Sequence, residues 1–469
     1  MSKPESGDLR RELGVWAAAA IVVGTTIGSG IFLVPKTMIQ QVGSPGLVFA
    51  VWILGGLLSL FGALTYAELA ARFPEAGGEY VYLRQAYGPF WGFTYGWLQT
   101  WVARSGAAAT LATGFFYYLT HFFPALDGIF TVLPLPIGPD WQPLEIRYGQ
   151  IVAIGVLCIL GLLNTLGVRL GAGVQITLTV IKITLIVAVI AVGFIAGHGD
   201  ASNYQASTPV QSSSGTFLRF AAALVAALWA YDGWNTVAMV GSEVKDPQRN
   251  MPRALIGGIL GIIAIYLAAN AAYFFVLSPA EAASSDRIAA EMMRKAVGGT
   301  GAGIVSLAAM ISMFAALNGT LLGGSRIPYA MARDGLFFAS AGKVHPLRHT
   351  PATAIWILTI TACVLVLSGR YEQLFTSVIF SSWILYAMAT ASVFVFRRRD
   401  LVATAPAFAV IGYPWVPGLF VVTALVLLAA TLFQSPRESL LGLGIIVLGI
   451  PFYRHWTKNR SPGRETNRT

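Results

Sequence analysis

Val23-Gly24-Thr25-Thr26-Ile27-Gly28-Ser29-Gly30-Ile31-Phe32 lies in the middle of the first long apolar run of the chain. Three glycines in seven residues loosen a helix, because glycine gives up more backbone freedom on folding than any other residue. At membrane depth, backbone that is not helical is tolerated only where protein covers it or where it lines a cavity. A second interruption occurs at Leu228-Trp229-Ala230-Tyr231-Asp232-Gly233-Trp234-Asn235. The two stretches read as halves of one binding site, and the rest of the chain reads as the frame that holds them face to face.

The composition agrees with a frame built in a bilayer. Of 469 residues, 56% are hydrophobic and 11% charged, against about 25% charged in ordinary soluble domains. About twelve apolar runs are long enough to span: Leu13–Gln40, Pro45–Arg72, Pro89–Phe123, Gly149–Leu166, Gly171–Gly197, Thr216–Gly241, Pro252–Leu277, Gly301–Arg333, Pro351–Ser368, Tyr371–Phe396, Tyr413–Phe433 and Ser439–Trp456. The expectation is an all-α, multi-pass protein of the cell membrane, one transmembrane domain over residues 1–469. The first run reads as a span, not as a cleaved leader.

The formal charge of +10 points away from nucleic acid because of where it sits. Basic residues gather before the first span (Lys3, Arg10, Arg11) and at every second connection after it. These are Arg72 and Arg84, Arg169, Lys245 with Arg249 and Arg253, Arg333 with Lys343 and Arg348, Arg397 to Arg399, and the tail from Arg454. The alternate connections are poorer, with Arg147, Arg287, Arg294, Lys295, Arg370 and Arg437. This asymmetry places both termini in the cytoplasm and implies some affinity for anionic lipid.

The interrupted spans are the first and the sixth. They therefore take matching places in two five-span halves, residues 13–197 and 216–396, and an odd number of crossings makes the second half inverted relative to the first. Residues 413–456 supply two further helices outside the repeat. Glycine-interrupted segments at matching places are the best sequence pointer to a secondary transporter's site. Outside the spans, Pro124–Arg147 reads as an outer loop, and Ala280–Lys295 as a short helix over the outer face.

Around the first interruption, Thr26, Ile27, Gly28, Ser29 and Gly30 are the candidate ligands. Unwinding there frees backbone N–H groups at the start of a half-helix, where the dipole favours a carboxylate. Close helix packing through the Gly24–Gly28 pair is the competing explanation. The absence of a Lys-Ser/Thr pair after Gly30 and of a strand before it argues against a nucleotide loop. Around the second, the candidates are Trp229, Ala230, Asp232 and Asn235. A mid-span acid must face water, a partner or a ligand, and Trp229, one turn before it, can close over a bound molecule. Tyr231 and Trp234 fit helix interfaces equally well.

Lys182, eleven residues into its span from Gly171 and so about 17 Å deep, is at the limit of snorkelling. A fixed ammonium there can take the place of a sodium ion and brace the fifth span against the first and eighth, or it can carry a coupling proton. Arg104 is also at mid-depth, with no evident partner in the sequence. Glu68 and Arg326 lie toward span ends, and Tyr266 and Asn318 are polar groups on apolar spans that suit helix-to-helix hydrogen bonds or a gate. Two cysteines, Cys158 and Cys363, sit inside spans, and the five histidines have no ligand spacing. Metal, cofactor and enzyme chemistry have no visible parts.

Together, Gly24 to Phe32, Trp229 to Asn235, the loop from Glu243 to Pro252, and Asn318-Gly319 through Ser325-Arg326 to Asp334-Gly335 resemble the amino acid–polyamine–organocation transporter superfamily. Within it the chain is most similar to the L-type amino acid transporters, over practically its whole length. The resemblance implies a LeuT-like fold with broken helices 1 and 6, and sodium-independent movement of amino acids by alternating access, usually as exchange. It also implies that backbone at Thr26, Ile27, Ser29 and Gly30 holds the substrate carboxylate, and that the carbonyls of Ile27, Trp229 and Asp232 take the α-amino group. Trp229 then matches an outer gate, Asn235 a polar residue near the site, and Lys182 the lysine replacing the second sodium site. Tyr266 and Asn318 match positions linked with substrate handling. Animal members carry a cysteine after the third span that bonds an ancillary glycoprotein. Pro124–Arg147 has none, so no disulfide-linked subunit is expected. The expected substrates are neutral L-amino acids, extended to cationic ones by Asp232. A proton-coupled symporter is the alternative, and a non-transporting sensor is the reading from another class.

Overall fold

The computed structural model describes residues 9–134, 143–197, 199–210, 215–367, 371–399, 407–434 and 436–458. Lys3, His198, Arg370 and the tail beyond 458 lie outside the described residues. A helix occupies each of the twelve expected positions, with interruptions. Helices α1 (Val15–Thr26) and α2 (Gly30–Val42) are followed by α3 (Pro45–Arg72) and a short α4 (Glu79–Tyr87). Then come α5 (Pro89–Leu98), a five-residue π turn Gln99–Ala103, and α6 (Arg104–Leu119). Next are α7 (Tyr148–Leu166), α8 (Val168–Ile195), α9 (Thr216–Ala230), α10 (Thr236–Met239) and α11 (Pro247–Val276). The chain continues with α12 (Pro279–Ser284), α13 (Ile288–Val297), α14 (Gly299–Gly324), α15 (Arg326–Arg333), α16 (Ala352–Leu367), α17 (Tyr371–Arg399), α18 (Trp415–Gln434) and α19 (Pro436–Lys458). Among the described residues six helices can cross a bilayer by length and hydropathy, and the bent α1–α2 pair makes a seventh. Hydropathy misses spans such as α9, which stops at the second interruption after 15 residues.

Several boundaries differ from expectation for local reasons. The third span is not one regular helix: the π turn widens it just before Arg104, with Ser105 Oγ donating to the Thr100 carbonyl at 2.6 Å, and such turns cluster at functional sites. Helix α11 begins five residues before Pro252, because Pro247 at its first position needs no N–H partner there. The segment Ala280–Lys295 is two helices, not one. A capping box at Ser278 and Glu281 starts α12, and α13 starts afresh after Arg287. Within Pro124–Arg147 two strands pair antiparallel, β1 (Ile129–Leu133) and β2 (Leu144–Arg147).

Around α1 pack α8, α11 and α14, while α2 lies against α9, α12 and α13. Pro35 within α2 cannot bond the Ile31 carbonyl, and the Tyr273 hydroxyl of α11 donates to that oxygen instead at 3.3 Å. The outside of the bundle is apolar: Val180, Ile181, Val187 and Ile195 on α8 and Leu419, Val422 and Leu425 on α18 are exposed, as lipid-facing surfaces require.

The end that carries the N-terminus is shut. Glu12 and Leu13 N–H donate to the Glu243 carbonyl and Lys245 N–H to the Leu13 carbonyl, so the chain's start adds a parallel bridge to the segment after α10. Beneath it Arg326 grips Glu243 with Nε at 2.7 Å and Nη2 at 3.1 Å, both side chains fully buried. Glu68, also buried, accepts from Arg397, Arg72 and the Val410 N–H.

Candidate substrate-binding site

Both interruptions are real, and they touch. Helix α1 ends at Thr26 and α2 begins at Gly30 with a bend of 41°. Phe32 and Leu33 N–H turn back to the Ser29 carbonyl, at 3.1 Å each. The N–H groups of Gly28, Ser29, Gly30 and Ile31 have no acceptor among the described residues, as expected for a helix start. Helix α9 ends at Ala230, and the chain turns through Gly233, whose φ of +108° an L side chain rarely adopts. A β-carbon on Gly233 would meet the backbone of Thr25 and Thr26 at 2.9 to 3.2 Å. Thr25 Oγ1 stands 2.6 Å from the Ile21 carbonyl and 2.8 Å from that of Gly233, tying one interruption to the other.

Between them is a cavity of about 30 Å³ lined by backbone or side chains of Thr26, Gly28, Ser29, Gly30, Trp229 and Asp232, with Arg104 and Thr320 at its edge. The hydroxyls of Thr26 and Ser29 are buried without a partner among the described residues. Bare N–H groups, idle hydroxyls and a helix N-terminus at one point suit a carboxylate. The volume holds water but no amino acid, so the two interruptions are closed on each other in this conformation.

The carbonyl ends of the broken first helix are already occupied. Lys182, fully buried while its neighbours Val180 and Ile181 face outward, places Nζ 2.6 Å from the carbonyls of both Gly24 and Ile27. Snorkelling is thereby excluded. Ser312 Oγ on α14 donates to the same Ile27 carbonyl at 2.9 Å, so that oxygen's two lone pairs are taken and it has none left for a substrate ammonium in this conformation. The Trp229 carbonyl accepts from Asp232 N–H, whereas the Asp232 carbonyl has no donor among the described residues.

Tyr266 joins both interruptions, its hydroxyl 2.7 Å from the Ala230 carbonyl and 3.1 Å from that of Thr26. Asp232 accepts from the Tyr386 hydroxyl at 2.9 Å. Asn235 lies one layer behind the cavity: its Oδ1 accepts from Arg104 Nη2 at 2.9 Å, and its Nδ2 donates to buried Glu79. Arg104 Nη1 donates to Thr236 Oγ1 at 3.1 Å, which supplies the partners the sequence did not reveal. Asn318 is elsewhere. It bonds Asn164 and Gln175 across α7, α8 and α14 and is not part of the cavity lining. Tyr231 and Trp234 pack into interfaces, Tyr231 against Trp52 at 5.6 Å between ring centroids and Trp234 against Tyr66 at 4.8 Å. Among the described residues no group of His, Cys, Asp or Glu could hold a metal ion.

A family model described as amino acid permease matches residues 13–451. The chain belongs to the amino acid permease family. This permease is 32% identical to the serine/threonine exchanger SteT of Bacillus subtilis, over 97% of its own length and 99% of the relative's. It is 30% identical to the b(0,+)-type amino acid transporter 1 of Mus musculus, covering 95% and 88% of the two chains, and 29% identical to the human cystine/glutamate transporter, covering 96% and 86%. These relatives place the permease in the amino acid–polyamine–organocation superfamily beside the L-type transporters, so it is a multi-pass membrane transporter and not an enzyme.

Proposed function

We propose that this permease is a sodium-independent exchanger of L-amino acids, mainly neutral, working by alternating access about the two broken helices. The observation that carries the reading is the pairing of the unpaired N–H groups of Gly28 to Ile31 with a carbonyl end stoppered by Lys182. In transporters with broken helices the freed carbonyls coordinate the coupling cation. Here an ammonium stands on them, so the substrate's own carboxylate and amine are the charges left to bind. The names of the relatives, exchangers of serine and threonine or of cystine and glutamate among them, support exchange and leave the side-chain preference open. Asp232, on the cavity wall, extends the range toward cationic side chains.

Within this reading residues 13–197 and 216–396 are the inverted repeats, residues 413–456 stand outside them, and both termini face the cytoplasm. The Arg326–Glu243 end is then the closed inner gate and Trp229 the outer lid. Thr26 to Gly30 hold the carboxylate, the backbone carbonyl of Asp232 the amine, and Tyr266 passes movement of one broken helix to the other. The permease works without a disulfide-linked subunit. The test is counterflow: proteoliposomes loaded with unlabelled serine should take up labelled amino acid faster than empty ones, with and without sodium.

A proton-coupled symporter is the second reading. It is favoured by one fact: Lys182 is wholly buried and held by carbonyls and no carboxylate, so its proton is not pinned by an opposite charge. Equal uptake by empty vesicles under an inward proton gradient would select it over exchange.

A further inference from the structure

A cavity of about 640 Å³, lined by no residue of either interruption, opens where α11 begins. One end is polar, formed by Gln248, Arg249 and Arg253. The two arginines are one helical turn apart on the same face, both are exposed, and neither has an acceptor among the described residues. They differ in this from Arg84, Arg326 and Arg397, each of which grips a carboxylate. Among the described residues the carboxylate of Asp246, just before the helix, pairs with neither guanidinium, and the Gln248 N–H in the first turn is also without an acceptor. Three sources of positive potential therefore converge on one pocket.

The other end of the cavity is apolar, walled by Pro252, Ile256 and Phe408. Further along the helix the surface is uncovered among the described residues: the β-position of Gly257 opens on empty space, and so does that of Gly261 one turn further, with Leu260 half exposed beside them. A guanidinium pair at one end and an apolar wall that runs on into the uncovered glycine face of α11 match a phosphodiester with its acyl chain. A soluble anion would leave the apolar wall unused. We infer that this pocket binds an anionic phospholipid of the leaflet on the basic face, phosphate on Arg249 and Arg253 and one chain along Gly257 and Gly261.

Full-length protein in detergent, mixed with equal phosphatidylglycerol and phosphatidylcholine, is examined by native mass spectrometry. The wild type should retain phosphatidylglycerol about tenfold over phosphatidylcholine, as expected for two basic contacts at a membrane surface, and Arg249→Gln with Arg253→Gln should erase the preference. Gly257→Trp keeps both charges and points its side chain into open space, so the fold has room for it; it should displace the lipid by covering the glycine face. Equal retention of the two lipids by the wild type, or an unchanged preference in both variants, would overturn the site. Inorganic phosphate removing phosphatidylglycerol at millimolar concentration would assign the pocket to a free anion and overturn the lipid.

Discussion

Gly30 of the first broken helix lies so close to Ala230 of the second that a β-carbon on Gly30 would stand 2.5 Å from the Ala230 Cα. The obstacle is backbone, which cannot swing aside as a flexible side chain can. Gly30→Ala must therefore push the interruptions apart, an overpacking that costs about 1–3 kcal/mol in well-packed interiors. Counterflow should fall at least about tenfold while the protein still reaches the membrane. Full activity in this variant would mean that the two helices do not need their contact.

Lys182 holds α8 against α1 through two carbonyls and has no lipid-exposed surface. Lys182→Ala removes two charge-assisted hydrogen bonds, each worth about 1.5–3 kcal/mol, from the frame around the site and none from the cavity lining. Turnover in counterflow should fall by at least about tenfold, while substrate affinity measured by scintillation proximity stays within about threefold. Wild-type turnover would end the bracing role, and affinity lost in step with turnover would move Lys182 into substrate contact.

How far the sequence reached depended on how local each signal was. Lys182 and Asp232 stood out because a lone charge in an apolar run needs a reason. The broken helices stood out because glycines cluster at Gly28 and Gly30 and recur at Gly233. Residues that complete the site from a distance carried no such mark. Ser312 is one serine in an ordinary apolar helix, and only the fold brings it to the Ile27 carbonyl, 285 residues away in the chain. Arg104 was visible but its partners were not, since Asn235 lies 131 residues on, and the Glu79 that Asn235 bonds in turn enters from a short helix that no apolar run announces. The π turn was illegible because hydropathy does not distinguish one helical period from another within a few residues. Asn318 read as a gate or an interhelical bond, and its contacts with Asn164 and Gln175 are of the second kind.

Asp232 tests substrate range. Its Oδ1 accepts from the Tyr386 hydroxyl, and an asparagine oxygen can accept the same bond, so Asp232→Asn keeps the local packing and removes only the charge. Lysine uptake should fall about tenfold more than alanine uptake, the weight of a hydrogen bond to a charged group. Competition counterflow with the two amino acids measures the ratio directly. An unchanged ratio would take the acid out of side-chain recognition.

The buried Arg326–Glu243 pair gives the last prediction, about stability. Both side chains have no exposed surface, and Arg326 also donates to the Leu322 carbonyl at 2.7 Å and to Ser325 Oγ at 3.0 Å. Removing one partner strands a charge where water cannot reach it, which costs about 3–5 kcal/mol, whereas replacing both partners with apolar groups of similar size is often close to neutral. Glu243→Gln alone should therefore lower the thermal midpoint of the detergent-solubilised protein clearly. Arg326→Met combined with Glu243→Met should recover most of that loss, because no charge is left uncompensated. A double variant no more stable than the single one would show that the pair's other hydrogen bonds, and not its charge balance, hold that end of the bundle shut.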